Sequence, residues 1–294
     1  MKRLLFYYSF LLLLLIANAS FAQNRRSGAR DSRVSQKDFL NKQFWVGFRG
    51  GINYTKAKPI DRYSAFSSMT DPSGNGFDKQ YKNYSNMAAQ FALVINFHYK
   101  NFALSFQPGI RRMTYQYSNT YSWNDPLNPG DHLQQEYKAV NKLDYLEFPL
   151  LLKYEPLRHT KIVPFVQAGV YYSRLNNAFK ETTLTVTDGA SGGGSAYEAE
   201  KIAVGAKDLY LRTNLGWTAG AGISYPLGNA RLGLELNYTH NTNNITNTAN
   251  RYDNDRLTGS GDIPDNIKLR NISVSFSILM PLRFIILKEN YKTE

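Results

Sequence analysis

Seven ionisable side chains, Arg49, His98, Arg111, Glu147, Lys153, Arg212 and Glu235, fall at polar positions of stretches in which every second residue is apolar. Residues of one parity share one face of a strand. Charges gathered on a common interior face have to pair, because an unpaired buried charge costs several kcal/mol. The chemistry these residue types support is a structural Arg–Glu network, with Glu147 beside Arg49 or Arg111. A proton or ion path along the same groups is the alternative.

Other candidates are weaker. Asp71-Pro72-Ser73-Gly74-Asn75-Gly76 places oxygen side chains and a glycine as the first half of a calcium loop does, with Asp71 and Asn75 as ligands. The twelfth position is Lys82, where a bidentate Glu is needed. Asp253, Asp255, Asp262 and Asp265 could collect a divalent ion, but Arg256 and Leu257 interrupt their spacing. His240-Asn241-Thr242 offers a histidine beside a hydroxyl without an orienting carboxylate, and His132 and His159 stand alone. Gly192-Gly193-Gly194 lacks the Lys-Ser/Thr of a phosphate loop, and neither G-x-S-x-G nor H-E-x-x-H occurs. The chain has no cysteine, which excludes thiol catalysis and Cys-ligated metals. The expectation is a non-enzymatic protein without a metal or cofactor.

The elements that must position these groups are strands. Eight stretches alternate with period two: about 44–55, 87–99, 102–117, 142–154, 162–175, 209–225, 231–240 and 269–284. Their connectors alternate in length. Tight turns lie at Lys100-Asn101, around Pro156 and at 226–230, and long polar segments span 56–86, 118–138, 176–207 and 241–266. An apolar face toward lipid, a polar face toward an interior and loops of unequal length predict an eight-stranded antiparallel up-and-down transmembrane barrel. Four long extracellular loops and short periplasmic turns follow, with both termini in the periplasm. In the third strand the parity pattern changes near Arg111-Arg112, which predicts a bulge there or emergence from the membrane.

Aromatic placement supports two interfacial girdles. Phe44, Tyr99, Phe102, Tyr154 and Tyr225 sit beside the short connectors, and Tyr54, Tyr172 and Tyr238 beside the long ones.

Residues 1–22 read as an export signal: Lys2 and Arg3, then the apolar run Leu4 to Ile16, then Ser20-Phe21-Ala22 before a mature start at Gln23. Residues 23–43 read as a flexible basic lead-in with Arg25, Arg26, Arg30 and Arg33, residues 44–284 as the barrel, and 285–294 as a periplasmic tail. The net charge of +12 falls to +10 once Lys2 and Arg3 leave. On an exported barrel that excess favours outer-membrane lipid and lipopolysaccharide phosphate as partners over nucleic acid.

The segment Asp144-Tyr145-Leu146-Glu147-Phe148-Pro149-Leu150-Leu151-Leu152-Lys153-Tyr154 resembles the signature strand of PorT-like outer-membrane β-barrel proteins of Bacteroidota. FWVGFRGGINYT, VPFVQAGVYYSRL and WTAGAGISYPLG resemble other strands of that family. The resemblance implies an eight-stranded outer-membrane barrel. It also implies a role that is structural or accessory to an outer-membrane assembly with other outer-membrane or periplasmic proteins, as in type IX-like protein secretion. A surface recognition or adhesin-like barrel acting through its loops is the alternative, and a lipid-modifying barrel enzyme the third.

Overall fold

In this computed structural model the described residues are 42–63, 78–125, 127–128, 132–157, 160–189, 196–227, 229–259 and 261–282. All lie in one compact unit, Asn41–Glu294. The export signal, residues 23–41 of the lead-in, Asp71 to Gly76, His159, Gly192 to Gly194 and the 285–294 tail lie outside them.

Among the described residues eleven strands form one antiparallel sheet: β1 (Lys42–Asp61), β2 (Gln80–Tyr81), β3 (Met87–Tyr99), β4 (Phe102–Phe106), β5 (Gly109–Asn124), β6 (His132–Tyr154), β7 (Val163–Asp188), β8 (Ala196–Gly205), β9 (Thr213–Leu227), β10 (Ala230–Asn241) and β11 (Asn266–Pro281). Gln107-Pro108 divides β4 from β5, and both pair with β3 on one side and β6 on the other, so together they fill one position in the ring. β1 pairs with both β3 and β11. The ring β1–β3–β4/β5–β6–β7–β9–β10–β11 therefore closes with eight members, and closure removes the sheet edges that would otherwise need a partner. At the β1–β11 seam the backbones press close at Gly47, where an added Cβ would run into the Ile278 carbonyl.

Alternation explains each wall. Along β3, Ala88, Gln90, Ala92, Val94, Asn96 and His98 point inward and are buried, while Met87, Phe91 and Tyr99 point out. Phe48, Ile52, Leu104, Ile110, Leu150, Leu152, Val166, Leu215, Leu236, Val274 and Phe276 are exposed on the outside of the other members. A continuous apolar belt of this size on a closed barrel is a lipid-facing surface.

The polarity of the two faces then inverts along the same strands. On β5 the inward residue Arg111 is followed by inward Met113, Tyr115 and Tyr117, while outward Ile110 is followed by outward Arg112. Beyond the belt, the interior becomes a hydrophobic core that includes Met113, Tyr115, Leu143, Tyr145, Leu175, Ile202, Tyr210, Ile245, Leu257 and Leu269. The parity of β5 does not slip at Arg111-Arg112, so the bulge expected there is corrected. What changes is which parity is apolar, because the surroundings change from lipid to water. A bulge does occur two positions round the ring, where Tyr145 pairs with Leu175 but Asp144 with Asn177.

The strands at the long-loop end run further than their alternation suggested. Segments expected as loops, 118–138 and 176–207, are largely strand: β5 reaches Asn124, β6 starts at His132, β7 reaches Asp188 and β8 pairs back onto it. The resulting projection, β5–β6–β7–β8 with β2 at its edge, continues the barrel wall past the belt. A short helix, Asp255–Gly259, buries Leu257 within the last long connector.

Candidate functional site: a packed lumen and a clasp above it

The lumen holds three tiers of charge. Nearest the short turns, Arg231 grips Glu155 with its two terminal guanidinium nitrogens at 3.0 and 2.9 Å and lies over the Trp45 ring. His98 Nδ1 approaches the same carboxylate at 3.8 Å. In the middle tier Glu235 accepts from Lys153 Nζ at 2.8 Å and from Gln167 Nε2 at 3.2 Å, with Arg49 Nη1 at 3.7 Å. Arg49 also donates to Gln107, and Gln167 to Asn237. In the upper tier Arg111 Nε meets Glu147 at 3.1 Å, and Arg111 Nη1 donates to Thr239. Buried charges persist only with such partners, since each ion removed from water costs several kcal/mol before pairing. A cavity of about 10 Å³ beside Asn96, Lys153, Glu155 and Arg231 leaves room for one water at most.

Six of the seven charges singled out from the sequence, Arg49, His98, Arg111, Glu147, Lys153 and Glu235, are buried in this ladder. Glu147 neighbours Arg111. Arg212 does not join them and is corrected: β9 starts only at Thr213, and Arg212 is exposed before it, its carbonyl accepting from Leu175 N. Arg231 and Glu155 were missed because each flanks a tight turn. Their inward parity relative to Gly233 and Lys153 was the available signal.

Above the lumen a second polar set lies inside the projection. Lys180 Nζ binds Asp262 at 2.7 Å, and Thr182 Oγ1 and Tyr117 OH donate to the same carboxylate. Lys79 Nζ reaches Asp265 at 3.2 Å, and Tyr81 OH and Tyr63 N donate to it at 2.7 and 2.8 Å. Burial pushes the Lys180 ammonium below its ordinary value, with Asp262 acting against that. Burial alone would raise the Asp262 carboxyl, but Lys180 and Lys79 outweigh it and hold the group below its usual range. Tyr115 donates to Tyr210 at 2.8 Å, and Tyr210 to Asn141 at 2.9 Å. These contacts tie the first and last long connectors to β5 and β7, forming a clasp over the barrel mouth.

The four acids of the last connector therefore divide. Asp262 and Asp265 face lysines inside, while Asp253, just before the short helix, and Asp255, its first residue, are exposed. Among the described residues no three His, Cys, Asp or Glu side chains gather as a metal site.

The aromatic residues form two outward bands. Phe44 packs on Phe97 at 4.7 Å, Phe102 on Tyr154 at 5.1 Å, and Tyr99 and Tyr225 are exposed at the short-turn end. Tyr172 stacks on Phe148 at 6.2 Å, Trp217 packs on Tyr238 at 5.6 Å, and Tyr54 lies opposite Ile272 at the other rim of the belt.

A closed antiparallel barrel with an apolar exterior and a filled polar lumen defines a membrane-spanning β-barrel. The family model described as "Outer membrane protein beta-barrel domain" matches residues 21–247, and the chain belongs to that family of outer-membrane proteins. Among solved structures it is similar to Neisserial surface protein A, with 11% identity, covering 80% of this chain and 96% of that one at a TM-score of 0.30. It is similar to OprG from Pseudomonas aeruginosa, with 13% identity, 82% and 97% coverage and a TM-score of 0.39. It is also similar to Ail, the attachment invasion locus protein of Yersinia pestis, with 8% identity, 81% and 99% coverage and a TM-score of 0.29. No match is found among curated proteins.

Proposed function

We propose that the protein is a non-enzymatic, non-conducting outer-membrane anchor that docks partner proteins of an outer-membrane assembly on its strand projection. The short-turn end faces the periplasm, the long-loop end faces outward, and the two aromatic bands are the interfacial girdles. The observation that carries this reading is the inversion of polarity at Arg111/Met113. The chain invests in a water-facing sheet with its own hydrophobic core beyond the belt. An open groove of about 360 Å³ on the outward face of that sheet, lined by Lys82, Gln116, Ser118, Lys138, Glu181, Thr183 and Thr185, offers the docking face. The strand Tyr145 to Tyr154, with its resemblance to PorT-like proteins, supports placing that assembly in secretion.

A photo-cross-linking residue at Thr183 is expected to capture a discrete protein in intact cells, and the same residue at lipid-facing Val166 is not. The purified barrel is expected to give no unitary current steps in a planar bilayer, because the lumen charges fill it. Stable ohmic steps, or identical adducts from Thr183 and Val166, would refute the reading.

A further inference from the structure

The outward column shared by β10, β11 and β1 shows how the belt ends. Row by row, Phe48, Ile278 and Leu232 are neighbours, then Phe276 and Leu234, then Ile52, Val274 and Leu236, then Tyr54, Ile272 and Tyr238. The next row is Lys56, Arg270 and His240, and Lys58 stands opposite Lys268 in the row beyond. All five side chains share the outward face, because the alternating residues Thr55, Ala57, Leu269 and Asn271 are buried inside. Phe44 to Tyr54 spans the length a tilted strand needs to cross a bilayer core. Lys56 and Arg270 therefore stand at headgroup level.

The cations of this column stand without an ion-pair partner among the described residues. Its three strands carry two acids, Glu235 inside the lumen and Asp61, whose carboxylate accepts from Asn266 Nδ2 at 2.8 Å. Among the described residues no ion pair involves Lys56, Lys58, Lys268 or Arg270. Across the barrel the matching level is neutralised: Arg112 pairs with Asp144 at 2.6 Å, and Lys142 and Lys201 share Glu181. Cross-strand neighbours lie roughly 5 Å apart, and like charges placed opposite one another destabilise a sheet. An anion seated on the patch relieves this repulsion, and the apolar rows directly beneath select one that carries acyl chains.

We infer that Lys56, Lys58, Lys268 and Arg270 form a seat for the phosphate groups of an outer-leaflet glycolipid, whose chains lie along the Tyr54, Ile272 and Tyr238 column. The inference rests on the outward orientation of the long-loop end for its place in the cell, but binding by the purified protein does not. Surface labelling of intact cells tests the orientation, so the two failures are distinguishable.

The test is titration of the full barrel in a neutral detergent with bis-phosphorylated lipid A, read by native mass spectrometry and, with Trp45 and Trp123 replaced by phenylalanine, by Trp217 emission. Trp217 packs on His240 at 5.6 Å and so reports on the patch. At low salt the K56Q/K58Q/K268Q/R270Q variant is expected to bind on the order of a hundredfold more weakly than the unaltered chain. Dephosphorylated lipid A should bind the unaltered chain as weakly, and millimolar inorganic phosphate should leave the lipid complex in place. R112Q/K142Q should bind as the unaltered chain does. Should the quadruple variant fail to fold, K56Q/K58Q alone is expected to lose about tenfold. Equal binding by the neutralised and unaltered chains, indifference to the lipid phosphates, or displacement by inorganic phosphate would each overturn the inference.

Discussion

Replacing Glu235 by leucine is expected to destabilise the barrel by about 3–5 kcal/mol. The carboxylate is the shared partner of Lys153 at 2.8 Å and Arg49 at 3.7 Å, and all three side chains are buried. Removing it leaves two cations inside a wall that admits little water, and it strips an acceptor from Gln167 as well. The unpaired charge, more than the lost attraction, sets the size of the effect. K153M/E235L should recover at least half of the loss, because it deletes the nearer cation with the anion and leaves Arg49 its contact with Gln107. Urea unfolding in micelles, followed by tryptophan fluorescence and by the heat-dependent gel shift, measures both variants. A loss under about 1 kcal/mol for E235L would mean that the lumen is hydrated.

Replacing Asp262 by alanine is expected to act elsewhere, opening the clasp while the barrel stays closed. Lys180 would lose its partner at 2.7 Å, Lys79 its nearby second acid, and Thr182 and Tyr117 their common acceptor. The cost falls on the last long connector, which the clasp holds to β5 and β7. Tryptic cleavage after exposed Arg256 should speed up on the order of a hundredfold, the opening expected from the loss of a buried ion pair. The midpoint of barrel unfolding should barely move. The sign of the pH effect follows from the lowered Asp262 carboxyl. Its stabilisation is complete above the ordinary carboxylate value near ~4 and is lost as pH falls through the lower value it has in the fold. The unaltered clasp should thus open only in strong acid, and the alanine variant should lack that acid transition.

The belt was legible in the sequence because lipid and lumen impose opposite demands on alternate residues. Met87–Tyr99 could be read residue by residue, and so could the inward set Arg49, Arg111, Glu147, Lys153 and Glu235. The projection was hidden for the converse reason. Beyond Arg111 the inside turns apolar and the outside polar, so the third strand showed a broken pattern where the chain runs on unbroken. From Thr182 to Thr187 the alternation is present, Leu184 and Val186 against Thr183, Thr185 and Thr187, but it is short and runs into polar, glycine-rich residues, so it reads as loop. Arg212 misled because parity was extended past the point where β9 begins. The clasp joins Lys79 to Asp265 and Lys180 to Asp262, pairs set by strand stagger and connector path, and neither leaves a mark on local spacing.

The absence of cysteine from the chain makes a single-cysteine nitroxide scan direct, and β5 and β1, which flank β3, are the place for it. In lipid nanodiscs, labels at 48, 52 and 110 should collide with oxygen and not with a water-soluble nickel complex, labels at 56, 58 and 112 should do the reverse, and labels at 111 and 113 should be shielded from both. The same polarity of collision at 110 and 112, or free access of the nickel complex to 111, would contradict a sealed barrel that turns inside out where it leaves the membrane.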